Sequence, residues 1–285
     1  MRFQVSHKTT YTYSAPVVLG RHRLMLRPRD SHDLRLVSAD LRIFPQAQLT
    51  WHHDVFGNSI AYAAFNGETD RLEIESVLSL ERYARTPTTF ELHSDSKTFP
   101  PLLSTDLKTD LGAELLPAYP DDVALIDVWL ENVMGPSARF GAPTLDVLST
   151  INSAIHTGFR YEAREAEGTQ QPSETINRGA GTCRDYALLM MEVARRLGFG
   201  ARFVTGYLNT PIVDGYDGAA ASHAWAHIYV PGAGWIAYDP TNGLVESPDL
   251  IRVATVRAPH QAIPISGSYT GTAQTSLEVA VNVSL

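Results

Sequence analysis

The chain has a single cysteine, Cys183, among its 285 residues. One thiol cannot close an internal disulfide, so no covalent staple holds the fold, and the same count excludes a CxxC metal or redox site. No stretch reaches the roughly 18 apolar residues that a membrane-spanning helix needs. The opening MRFQVSHKTTYTYS lacks the apolar core of a secretory signal and reads as a strand, so a cytoplasmic location is expected. There is no basic run and the formal net charge is −8, which argues against nucleic acid or an anionic membrane as the main partner. Internal repeats and low-complexity segments are missing too. What remains is an ordinary globular composition, 44% hydrophobic and 19% charged, enough for one large domain or two ordinary ones.

Two periodicities divide the chain, and together they give an α+β protein. Over residues 1–85 apolar residues alternate along short runs: Phe3, Val5, His7, Thr9, Tyr11 and Tyr13, then Val37, Ala39, Leu41 and Ile43, then Ser59–Phe65 and Leu72–Tyr83. Turn residues at Pro28–Asp30, Gly57-Asn58 and Asn66-Gly67 separate them, which suggests a β-sandwich or a small barrel. Residues 86–120 carry Pro87, Pro100, Pro101, Pro117 and Pro120 with little periodicity and read as a linker. From residue 121 to 285 helical spacing takes over, at Asp121–Met134 and Thr144–Thr157, followed by strands at Ala201–Leu208, Ser222–Val230 and Trp235–Asp239. The tail Ser276–Ser284 alternates again and is expected to return to a sheet.

Cys183 falls at the start of a helix. Thr182 is a good N-cap, Asp185 occupies the third helical position, and Ala187, Met190, Met191, Ala194 and Leu197 continue an apolar face. Arg195, Arg196 and Gly198 mark the end, near residue 197. The unpaired N–H groups and positive dipole end of such a helix favour a thiolate over a thiol. Gly179 and Gly181 would let a substrate carbonyl approach the backbone. The plainer reading is a small buried residue in a core helix.

The strand Ser222–Val230 places His223, Trp225, His227 and Tyr229 on one face, and the turn at Pro231–Gly234 leads back through Trp235 to Asp239 as a hairpin. Asp239 can orient His223 only if both lie on the same face, which pairing Trp225 opposite Asp239 achieves and a one-residue slip destroys. A thiolate attacks a carbonyl, an imidazole moves the proton and a carboxylate fixes the imidazole. The same three residue types could also bind zinc, but a thiol at a helix start suits covalent chemistry better, and no metal is expected. His52 and His53 point to opposite faces of a strand and read as surface residues. Thr210–Ala221 reads as a loop beside the site and a possible substrate lid.

Three segments closely resemble the transglutaminase-like superfamily: Gly181-Thr-Cys-Arg-Asp-Tyr-Ala187, Ala201-Arg-Phe-Val-Thr-Gly-Tyr207, and His223-Ala-Trp225 through Trp235-Ile-Ala-Tyr-Asp-Pro-Thr-Asn242. The first 85 or so residues resemble the β-rich N-terminal region of a bacterial branch. The resemblance implies a papain-like α/β core with Cys183 as nucleophile, His223 as base and Asp239 as orienting acid, acting on a protein or peptide amide without calcium or another cofactor. Tyr161 is a candidate oxyanion donor beside the Cys183 N–H. Trp225 and Arg184 are candidate cleft residues, and Arg184 stands where the branch often has glutamine. The expected activity is that of a cysteine protease or amidase, with transglutaminase the alternative if an amine resolves the thioester. A binding module on the same fold is the non-enzymatic alternative.

Overall fold

The computed structural model describes all residues except 84–89, 136–138, 165–166, 210–221 and 285, and the side chains at 121 and 123. The loop read as a lid, Thr210–Ala221, lies outside the described residues. The chain opens with six strands: β1 (Arg2–Leu19), β2 (His22–Arg27), β3 (Leu34–Phe44), β4 (Gln48–His53), β5 (Ser59–Ala64) and β6 (Glu68–Arg82). Alternation decides their faces. Phe3, Val5, His7 and Thr9 of β1 are buried while Arg2 and Gln4 are exposed. Pro16, which cannot donate to a ladder, lies within the register shift of β1 against β6 between Thr12 and Val17.

Residues 90–120 are not slack. They hold helix α1 (Thr105–Leu111), and Phe99 and Leu111 are buried. Helices α2 (Val123–Met134) and α3 (Thr144–Gly158) follow, then the short strand β7 (Arg160–Tyr161), helix α4 (Pro172–Arg178), strand β8 (Ala180–Gly181) and helix α5 (Cys183–Arg196). Strands β9 (Gly200–Leu208), β10 (Ser222–Val230), β11 (Gly234–Asp239), β12 (Leu244–Val245) and β13 (Leu250–Val256) form one antiparallel sheet in the order β12-β11-β10-β9-β13. Every residue of α5 from Asp185 to Arg195 is buried, the pattern of a helix enclosed on all sides. Its Ala187, Met190, Met191 and Ala194 share a core with Ala224, Ala226, Ile228 and Val230 of β10 and with Val147, Leu148, Ile151 and Ile155 of α3.

The tail supplies β14 (Ile265–Ser266), β15 (Tyr269–Thr270) and β16 (Thr275–Ser284). These complete the N-terminal layers: one sheet runs β15-β1-β6-β3 with β16 also paired to β1, and the other runs β14-β2-β5-β4. Two separate sheets enclosing Leu19, Leu24, Leu26, Leu72 and Ile74 make a sandwich, not a barrel. The sandwich and the core sheet share apolar side chains, Phe3, Val5, Leu78 and Leu80 meeting Tyr207, Ile251 and Val253. Each such residue, fully buried, is worth about 1.5–3 kcal/mol, so the sandwich is a packing partner of the core.

Two histidines sit near that junction. His7 hydrogen-bonds the Tyr207 hydroxyl at 3.0 Å and the Thr9 hydroxyl at 3.2 Å, and burial lowers it to about 4. His227 is lowered well below its ordinary value by burial and by the charges of Arg202, Arg252 and Arg82. Both favour the neutral form when folded and take up a proton when unfolded, so stability falls as pH drops below about 6.5; for His7 the loss approaches about 1.4 kcal/mol per pH unit and ends near 4. His7→Gln and His227→Gln should each flatten the slope of unfolding free energy over that window, measured by urea titration. Slopes equal to wild type in both variants would refute the assignment.

Candidate functional site

The site is assembled where α5 begins. Helix α4 ends at Gly179, whose φ of 58° is the left-handed cap conformation, and β8 then runs parallel to β7, with Tyr161 level with Gly181. Thr182 has extended backbone angles and caps α5, so Cys183 is its first residue, half-buried, with a free thiol. The Asp185 carboxylate ties this start down. One oxygen accepts the Thr182 N–H and hydroxyl, both at 2.8 Å; the other accepts the Gln170 N–H at 2.7 Å and Arg164 at 2.9 Å. A Cβ on Gly181 would lie 2.9 Å from the Asp185 side chain. The two glycines thus serve the helix cap and the packing of the carboxylate.

The β10–β11 ladder pairs Ala226 with Tyr238 and His227 with Ala237, the parity in which Trp225 would fall opposite Asp239 one step on. That register puts His223 and Asp239 on one face. Nε2 of His223 lies 2.8 Å from Oδ2 of Asp239, and Cys183 is close enough to favour the charged form of the imidazole. With Nε2 turned to Asp239, Nδ1 is the ring nitrogen left for the thiol. Burial disfavours charge on His223, but the attraction and hydrogen bond of Asp239, together with Cys183, outweigh it and lift the imidazole to about 10. Asp239 is likewise penalised by burial, yet His223, Asn242 and the Thr241 N–H hold it below the usual carboxylate range. The charged form of His223 is thereby favoured.

Trp225 does not line a cleft. It is 1% exposed and packs with Val204, Leu208, Ala237 and Leu250, its ring stacked on His223 at 6.0 Å and 26°. Its terminal carbon lies 2.8 Å from where a Cβ of Gly206 would be, so the absent side chain at Gly206 makes room for it. Trp225 backs the imidazole. Arg184 is half-buried and donates to the Arg164 carbonyl at 3.3 Å, toward the segment after β7. Tyr161 is half-buried with its ring edge-on to Tyr186 at 6.5 Å. Asn242, which closes the third segment quoted above and had no role there, contacts both His223 and Asp239 through its amide. The signal available was an amide residue in the turn directly after Asp239-Pro240.

Residues 3–81 match the bacterial transglutaminase-like N-terminal region, and residues 137–240 match the transglutaminase-like superfamily. The second segment contains Cys183, His223 and Asp239. An uncharacterized protein of Mycobacterium tuberculosis is 28% identical over 295 residues, covering 99% of this chain and 92% of the relative. One from Mycobacterium leprae is 23% identical over 298 residues, covering 99% and 98%. Among solved structures, a "Putative Cysteine Protease" from Cytophaga hutchinsonii superposes with a TM-score of 0.74 at 19% identity, over 99% of this chain and 90% of that one. The fold is thus the one that the Cytophaga protein has, and within it residues 137–240 match the transglutaminase-like superfamily, with a match to the bacterial transglutaminase-like N-terminal region ahead of them.

Proposed function

We propose that the protein is a cysteine-dependent amide hydrolase acting on a protein or peptide substrate, with Cys183 as nucleophile, His223 as acid and base, and Asp239 as the group that orients His223. The observation that carries this reading is the position of one buried imidazole, bonded at 2.8 Å to a buried carboxylate and under the influence of a thiol at a helix start. Sulfur bonds to the carbonyl carbon while the π pair moves to oxygen. Collapse of the oxyanion breaks the C–N bond, and the nitrogen leaves with the proton from the imidazolium. A water then gives its proton to the neutral imidazole as its oxygen attacks the thioester, expelling the acid and restoring thiolate and imidazolium. The Cys183 N–H, free of an intrahelical partner at the first helical position, is the main-chain oxyanion donor, with Tyr161 as the side-chain candidate.

Alkylation by iodoacetamide at pH 7 tests the pair. An unpaired thiol is only a few per cent thiolate there, so His223→Ala should slow alkylation of Cys183 by about tenfold or more. It should also abolish hydrolysis of amide substrates. Equal alkylation rates in wild type and variant would overturn the assignment. An added primary amine that diverts the acyl group from water would show transamidation in place of hydrolysis.

A further inference from the structure

We propose that Asn242 is a positioning residue for this reaction: its side-chain amide locks the Asp239 carboxylate in the orientation that fixes His223. The inference rests on the roles given above to Cys183, His223 and Asp239, and it adds a fourth group that lies just outside the matched segment, which ends at residue 240.

Oδ2 of Asp239 receives two donors at equal length, Nε2 of His223 and Nδ2 of Asn242, each at 2.8 Å. The two donors sit 3.4 Å apart. The amide can present only its NH2 to the carboxylate, since its oxygen would face another acceptor. Oδ1 is held separately by the Thr241 N–H at 3.0 Å and the Asn242 N–H at 3.4 Å. A carboxylate bound to imidazole alone could turn about its Cβ–Cγ bond and exchange oxygens. Backbone donors on one oxygen and the amide on the other remove that freedom. Asn242 is only 7% exposed, so solvent does not stand in for it.

The choice of an amide has a chemical logic. It supplies a donor without a charge, so it stabilises the ionised carboxylate and leaves the electrostatic pull on His223 undivided; a lysine or arginine there would compete for the carboxylate. An ionised, acceptor-only Asp239 obliges Nε2 to carry a proton and turns Nδ1 toward Cys183. Without the amide, Asp239 would accept a proton at higher pH and release the imidazole.

The test compares wild type with Asn242→Leu, which keeps volume but loses the donor, and Asn242→Asp, which keeps shape but replaces the donor with an acceptor. The rate of Cys183 alkylation by iodoacetamide is followed against pH, with circular dichroism and melting as folding controls. Losing a hydrogen bond to a charged group should lower the rate at pH 6 by about 10- to 100-fold and move the acid limb of the profile upward in both variants. A residue that only supports packing would lower the melting temperature and leave the acid limb in place, and that result overturns the proposal. Rapid exchange with solvent of the Asn242 amide protons in wild type, seen by NMR, would overturn it without any variant. If His223→Ala also leaves alkylation unchanged, the Cys183–His223 pairing itself is at fault. If His223→Ala slows it while both Asn242 variants match wild type, only the role of Asn242 falls.

Discussion

The Asp185→Ala protein should melt several degrees below wild type and lose reactivity at Cys183, although residue 185 touches no substrate. The carboxylate is fully buried and satisfies four donors from three places in the chain: Thr182 twice, Gln170 and Arg164. Alanine leaves the main-chain N–H groups of Thr182 and Gln170 without an acceptor and strips a counter-charge from Arg164. Breaking a buried pair costs about 3–5 kcal/mol; the partial exposure of Arg164, at 25%, discounts this toward the lower figure. A loss of about 3 kcal/mol corresponds to a fall in melting temperature on the order of 5–10 °C in a chain of this size. The damage is local as well as global, because these bonds define the first turn of α5. Alkylation of Cys183 should therefore slow even at temperatures where the variant is folded. A variant that melts with wild type and alkylates at its rate would refute this account.

Arg195→Met should destabilise the protein by about 3–5 kcal/mol, a melting-temperature loss on the order of 10 °C. Arg195 and Glu192 are essentially unexposed and joined at 2.9 Å. Burial lowers the pKa of Arg195, but Glu192 offsets this. The other bonds of the pair matter more. Arg195 also donates to the carbonyls of Glu114, Ala201 and Arg257, and the second oxygen of Glu192 accepts the N–H groups of Ala118 and Tyr119. Replacing a buried ion pair by apolar residues is often neutral or stabilising. Here the double variant Glu192→Leu with Arg195→Met should remain unstable, because five main-chain groups lose their partners. A double variant as stable as wild type in urea titration would show that those bonds contribute nothing.

The parts of the fold that were legible in the sequence are those set by local pattern. Alternation along Phe3–Tyr13 marked β1, and the sequence from Thr182 to Gly198 marked both ends of α5 because cap, apolar face and stop agree within one segment. The hairpin parity around His223 was readable because a strand has only two faces. What stayed hidden depends on distant contacts. Helix α4, Pro172–Arg178, spans less than two full turns and has Ile176 as its one large apolar residue, too little for a period. Phe99 is buried against Phe199 from a stretch with no pattern of its own. Trp225 shares a face with His223, but whether that face meets solvent or packing depends on Gly206, Leu208 and Leu250 in other strands. Asn242 was invisible as a partner until the turn after Pro240 folded back on the carboxylate.

The pairing of β1 with β16 sets an order of events during synthesis. Residue 4 of this chain lies beside residue 284, and residue 13 beside residue 275. At about 5–20 residues per second, a ribosome would complete β1 tens of seconds before the strand that covers its edge. Over that interval the ten-residue flank of β1 is an open template for other chains, and the sandwich around it cannot close until the whole core between them has been made.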